Sequence, residues 1–478
     1  MSRFWQIVIL VLLLLALLAN AGLLWLYGNA APQVQGLREA LERQAGQVQA
    51  LQAERDDLRA RLSALEDRQA ALEAEKARLE QELAALQGQS DLLEQLDRLE
   101  AETRALRRLV PSQSVPRAFV SAEEVRAKME AELAEEDSRR RITLDSQVLV
   151  ALGLLEPGTN LYNLLVELYT EQVLGYYDTE EGQLYVLGEG DLDPLERLTF
   201  VHEYTHALQD QAFDLGEQEQ ALADDSDRLL ALYALAEGDA MLSMQQYLLK
   251  HPDLLSLELL GQVLLGDTAR FEAAPAVVQR ETLFPYEYGL SFVMALYAER
   301  GWAGVDAAWA EPPQSSEQLL HPERYPVDPP QVVELPPLTA TLGAGWRFQG
   351  EDTLGEFRLR EHLALYLDEE EVERAATGWD GDRYALYTRP DQGAICLAIR
   401  LVWDDRDEAE EFAALYQVYS QARYGVAGEG SLEDGMWWAG APGLYLRQDG
   451  DHVYLVLAPN IGVAEAVVRR MREFSGKK

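Results

Sequence analysis

A seven-residue leucine row between Val34 and Leu109 constrains the fold of this chain more than any other feature. Leucines stand at 37, 51, 58, 65, 72, 79, 86 and 93, and Gln44 is the missing member. The positions three residues earlier hold Val34, Leu41, Val48, Arg55, Leu62, Gln69, Lys76 and Leu83. A lone helix would leave this long apolar seam in water, whereas a strict heptad winds helices into a left-handed supercoil. Residues 31–110 are therefore expected to form a coiled coil. Polar Arg55, Gln69 and Lys76 in the seam favour two strands, hence a parallel homodimer. After Leu86 the register slips to a new row at Leu92, Leu99 and Leu106. At about 1.5 Å per residue the helix would be a spacer of roughly 100 Å with no chemistry of its own.

Upstream, Phe4–Tyr27 is one apolar run broken only by Gln6 and Asn20. Its 24 residues would reach about 36 Å as a helix, enough to cross a hydrocarbon core. Ala19-Asn20-Ala21 resembles a cleavage site, but Leu23, Leu24, Trp25 and Leu26 follow it where a signal peptide turns polar. Residues 1–30 are thus expected to be a single-pass anchor in the cell membrane, with the bulk of the chain extracytoplasmic.

Pro111 and Pro116 mark a linker, and Ser121 with Glu124 forms a capping box. From there to about Val333 the pattern is mainly helical, and Pro329-Pro330 and Pro336-Pro337 mark a second linker. Residues 345–478 alternate strands (Arg383–Thr388, Ala394–Val402) with an acidic helix near Asp407. A hairpin turn at Asp449-Gly450-Asp451 and a last helix from about Val463 follow. The expected architecture is mainly α: an anchor, a coiled coil, a metal-binding α+β domain over 117–335, and a small α+β accessory domain over 345–478.

The chemistry lies in His202-Glu203-Tyr204-Thr205-His206. Two histidines four apart on a helix stand one turn above each other and can grip one ion. Imidazole nitrogens suit zinc, and the intervening glutamate can reach a water on the metal. Asp193 as cap, Pro194 at the first position and Glu196 three after the cap mark the start of that helix. A catalytic zinc takes three protein ligands and keeps one position for water. The next helical stretch, from near Asp227, carries Glu237 among apolar residues, so Glu237 is the candidate third ligand and Asp239 the next. A hairpin of 175–178 and 184–187 precedes the metal helix, and its edge could pair with an extended peptide.

These residues resemble the gluzincin zinc metallopeptidases. They look most like prokaryotic zincin-like proteins that carry His-Glu-x-x-His-Ala-Leu-Gln-Asp-Gln and a later Glu-Gly-Asp-Ala, here at 202–211 and 237–240. The resemblance covers roughly residues 120–330. It implies His202, His206 and Glu237 as ligands and Glu203 as general base. It departs at Met241, where a thermolysin-type member has an aspartate, so histidine orientation is expected to come from Asp239 or Asp210. For the oxyanion of peptide hydrolysis, His321, Tyr286 and Tyr288 are candidates, with His321 first. His251, His362 and His452 have no ligand-like spacing and are expected at the surface.

The balance of 41 Lys+Arg against 82 Asp+Glu, a net charge of −41, argues against nucleic-acid partners and anionic-lipid docking. A lone Cys396 excludes an intrachain disulfide and a multi-thiolate metal site. The expected function is a membrane-anchored zinc metallopeptidase acting on peptide or protein substrates through Glu203. The alternative is a catalytically inactive zinc-binding scaffold or adaptor tethered to the membrane through a dimeric coiled coil.

Overall fold

The computed structural model describes residues 6–14, 31–171, 175–187, 192–256, 259 and 269–474, and the chain divides into two compact units, Met1–Gln89 and Ser90–Lys478. In the first unit residues 6–14 are helical. Among the described residues no helix is long and apolar enough to cross a membrane. This finding overturns the expected single-pass anchor, and the extracytoplasmic placement and membrane partner built on it. Residues 4–5 and 15–27 of that run lie outside the described residues. Helix α1 is Ala31–Arg107, and within the first unit the heptad leucines Leu51, Leu58, Leu65, Leu72 and Leu79 are open to solvent, Leu65 at 65% and Leu72 at 57%.

The register slip has a structural counterpart in the second unit. Leu92, Leu96 and Leu99 are buried, in one cluster with Leu198, Val201, Tyr204 and Leu208 of helix α5 (Pro194–Phe213). The last turns of α1 thus wall the domain that carries His202 and His206.

Strand β1 (Arg117–Val120) follows, then α2 (Ala122–Leu133), whose capping box at Ser121 and Glu124 forms as its residues require. Next come α3 (Glu136–Leu152), α4 (Leu161–Glu171) and the antiparallel hairpin β2 (Gly175–Asp178) and β3 (Gln183–Leu187). Strand β1 joins β3 in parallel, so β3 is central and β2 is left at an edge. After α5 come α6 (Leu215–Ala221) and the long α7 (Ser226–Lys250) and α8 (Ala276–Arg300), then α9 (Trp302–Ala310) and α10 (Ser316–Leu320). Helices α7 and α8 cross at two glycines. A Cβ on Gly238 would stand 2.1 Å from the Gly289 carbonyl oxygen, and one on Gly289 would stand 2.0 Å from that of Ala234. Only glycine lets the two backbones approach this closely.

The C-terminal part holds strands β4 (Arg347–Asp352), β5 (Trp379–Arg389), β6 (Ala394–Trp403), β7 (Glu429–Ser431), β8 (Gly435–Trp438), β9 (Gly443–Asp449) and β10 (His452–Ala458), in one sheet of order β4-β5-β6-β10-β9-β8-β7. The period of two is visible in β6. Leu397, Ile399 and Leu401 face a core shared with Phe412 and Trp379, while Cys396 and Ala398 face a second core beneath Val467 and Met471. Burial pushes the Cys396 thiol up to about 12, so it is inert. The first core also takes in Val148, Leu149 and Leu152 of α3 and Leu161 of α4, which joins the sheet to helices far upstream. His362, expected at the surface, is instead buried, with Nε2 2.9 Å from the Tyr416 hydroxyl.

Because Leu96 is fully buried against α5, Leu96→Ala should lower the unfolding free energy by about 2–5 kcal/mol. Denaturant unfolding checks this, and an unchanged midpoint would exclude the end of α1 from the core.

Candidate metal centre

Two capped helices supply the ligands. The Asp193 side chain accepts from the Glu196 N–H, and the Glu196 carboxylate accepts from the Asp193 N–H, each at 2.8 Å, with Pro194 at the first helical position. With its start set there, α5 presents His202 and His206 on one face, their Nε2 atoms 3.2 Å apart. Helix α7, capped by Asp225, brings Glu237 to them. Glu237 Oε2 lies 2.9 Å from His202 Nε2 and 3.7 Å from His206 Nε2. The three side chains each offer one ligand atom within 4.8 Å of the others, all partly buried.

The donor set fits a divalent cation. Gln209 is fully buried, and its Nε2 donates to the Ala236 carbonyl at 2.9 Å. That bond turns Gln209 Oε1 toward His206 Nδ1, 2.9 Å away. Against an acceptor, Nδ1 carries the proton, so neutral His206 aims a bare Nε2 lone pair at Glu237 and His202. Glu237 Oε2 is itself buried without a hydrogen bond of acceptable geometry. The Nε2 atoms of His202 and His206 and this carboxylate oxygen converge on one spot, a donor set that suits zinc.

Charge accounts for the same cluster without an ion. Burial opposes ionisation, yet the imidazoles of His206 and His202 hold the Glu237 carboxyl well below the usual carboxylate range. Burial also opposes charge on His206, and the Glu237 carboxylate overrides it and lifts His206 to about 10. A metal ion bound at these three groups would take the place of that proton.

Glu203 sits on the same turn. Its Oε2 accepts the Tyr177 N–H at 3.1 Å, and burial raises its carboxyl, with the two histidines pulling the other way. Tyr177 is on the edge strand β2, and its hydroxyl donates to Asp210 Oδ2 at 2.7 Å, two turns further along α5. A cleft of about 500 Å³ opens beside Glu237, between Leu230, Tyr233, Pro285, Tyr286 and Arg358. Arg358 comes from the C-terminal part and is paired with Asp145 at 3.0 Å and Glu281 at 2.6 Å.

The structure thus brings together His202, Glu203, His206 and Glu237, and sets the Tyr286 ring 6.3 Å from that of His202. It does not bring in His321, whose Nε2 is 3.1 Å from Glu356 Oε1 and which lines neither the cluster nor the cleft among the described residues. Tyr288 packs on Phe284. Nor does either expected aspartate orient a histidine. Asp210 accepts from Tyr177 and Gly216, and Asp239 is held by Arg107 and Trp309. Gln209 does that work. Its signal was present in the spacing, since it lies three residues after His206 and so on the same helical face.

A family model described as a domain of unknown function (DUF8575) matches residues 345–468, which include Arg358. No curated protein matches the chain. Among solved structures, the chain is similar to a Chloroflexus aurantiacus protein described as "a putative hydrolase with a novel fold". The identity is 21%, over 49% of this chain and 88% of that one, with a TM-score of 0.32. At that score the likeness carries no argument about fold or activity.

The proton on His206 would make the affinity for a zinc ion at this cluster depend on pH. Below the raised value of about 10, the dissociation constant should rise about tenfold per unit as pH falls from 9 to 7. Competition against a chelator of known affinity measures it, and a flat profile would contradict the exchange of a metal for that proton. Gln209→Leu should raise the dissociation constant by about 10–100-fold at constant pH.

Proposed function

We propose that this chain is a zinc-dependent peptidase of the gluzincin type, cleaving polypeptide substrates with Glu203 as general base. The observation that carries the reading is the convergence of His202 Nε2, His206 Nε2 and Glu237 Oε2 within 4.8 Å, with Glu203 on the adjoining turn. Zinc at these ligands would polarise a scissile carbonyl and bring the pKa of water toward ~7. Glu203 then takes one proton of the attacking water as its oxygen bonds to the carbonyl carbon. As the carbon–nitrogen bond breaks, Glu203 passes that proton to the leaving amine.

Two further features support a polypeptide as substrate. Strand β2 is a sheet edge, and its Tyr177 N–H touches Glu203, so an extended chain paired along that edge would have a peptide bond at the base. The cleft beside Glu237 gives side chains a place beyond the bond to be cut. No Ser or Cys nucleophile is needed.

The test uses the full chain with a quenched-peptide library and parallel zinc analysis. Glu203→Gln should keep its zinc and lose about 10²–10⁴ of the turnover. His202→Ala should lose both zinc and turnover. Wild-type rates for Glu203→Gln would refute the base. A zinc-loaded wild type that cuts no library member would favour the non-catalytic scaffold.

A further inference from the structure

Glu237 has an unusual neighbour two residues along its helix. Asp239 is fully buried, as is Arg107 at the end of α1, and Arg107 Nε donates to Asp239 Oδ1 at 2.6 Å. Trp309 Nε1, from α9, donates to the other carboxylate oxygen at 2.9 Å. The Arg107 guanidinium also reaches Asp306 at 2.8 Å and lies 4.3 Å from the centre of the Trp302 ring. A buried ion pair is weak evidence for stability, because apolar residues of the same size often serve as well. Directed hydrogen bonds do what apolar contacts do not: they fix the angle at which a helix is turned.

We propose that Arg107, Asp239 and Trp309 are positioning residues for the metal, a buried clamp that sets the rotation of α7 and so holds Glu237 at the histidines. The inference rests on the zinc reading for the identity of the ion. At 3.6 residues per turn, Glu237 and Asp239 point about 200° apart, so fixing one face of α7 aims the other. Gly238, between them, is pressed on the Gly289 carbonyl. Three consecutive residues therefore meet three different partners: the histidines of α5, the backbone of α8, and Arg107 with Trp309. The clamp reaches the histidine helix as well. The Trp309 ring stacks on Phe213, the last residue of α5, with centroids 5.1 Å apart and planes 4° from parallel. A turn of α7 by one residue would carry Glu237 away from both imidazoles. The end of α1, expected only as a spacer, is thereby part of what sets zinc affinity.

The experiment compares zinc dissociation constants of full-length wild type, Asp239→Asn and Trp309→Phe by chelator competition, with the absorption spectrum of the cobalt-substituted proteins. Trp309→Phe keeps an aromatic ring against Phe213 while removing the indole donor and some ring volume, and as the milder change it guards against a variant that fails to fold. Val456→Ala, deep in the C-terminal sheet, supplies a control that loses stability far from the metal. Both clamp variants should bind zinc about tenfold more weakly or worse and alter the cobalt bands. Val456→Ala should melt earlier with its zinc constant within about twofold of wild type. Clamp variants that bind zinc as wild type does, or no more weakly than Val456→Ala, would overturn the clamp and leave the metal site standing. A wild type that binds no zinc would overturn both.

Discussion

The contact between α5 and α7 is the constraint on which the rest of the site depends. One buried side chain, Gln209, makes it specific. It bonds the Ala236 carbonyl with one end and His206 with the other, so the histidine and the glutamate are referenced to the same atom group. Apolar packing alone would allow α7 to slide or turn by a fraction of a residue at little cost. The Gln209 bond and the glycine contact at Gly238 remove that freedom. The same logic explains why a long helix ends inside the domain. Leu92, Leu96 and Leu99 cover the outer face of α5, and Arg107 is carried to the far side of α7.

Electrostatics point the same way. The chain carries 82 acidic against 41 basic residues, yet its partly buried Glu237 faces two imidazoles. In a setting of low effective dielectric, the carboxylate holds a proton on His206, and a dication would satisfy the same three groups with one charge centre. Glu203 is different: it bonds a backbone amide of the edge strand and not the cluster, which leaves it free for proton transfer. Arg358 places the C-terminal part at the wall of the cleft, already neutralised by Asp145 and Glu281. The part matched by DUF8575 therefore lines the cleft beside Glu237 and adds no side chain to the His202, His206 and Glu237 cluster among the described residues.

Much of the site was legible because it is local. The helix start at Asp193-Pro194 and the four-residue histidine spacing are rules of a single helix, and both hold. Glu237 was legible because a glutamate among apolar neighbours demands a partner. What escaped was non-local. Nothing within residues 237–239 says that Asp239 will meet an arginine 132 positions earlier, so it looked like a histidine's orienting group. His321 looked catalytic by residue type, but its place is set by Glu356, a partner beyond the second linker. The C-terminal strands followed their alternation, while the share of α3 and α4 in the core beneath them had no local signal. The N-terminal apolar run misled because composition alone fits a membrane-spanning helix, and no described helix has the length and apolarity to be one.

X-ray absorption at the zinc edge, joined to anomalous diffraction from crystals of the zinc-loaded protein, tests the central claim most directly. The account predicts one ion bound by two imidazole nitrogens at about 2.0–2.1 Å and a carboxylate oxygen at about 2.0–2.2 Å, from His202, His206 and Glu237. An ion held by other residues, or a zinc-soaked protein in which Glu237 turns away from both histidines, would contradict it.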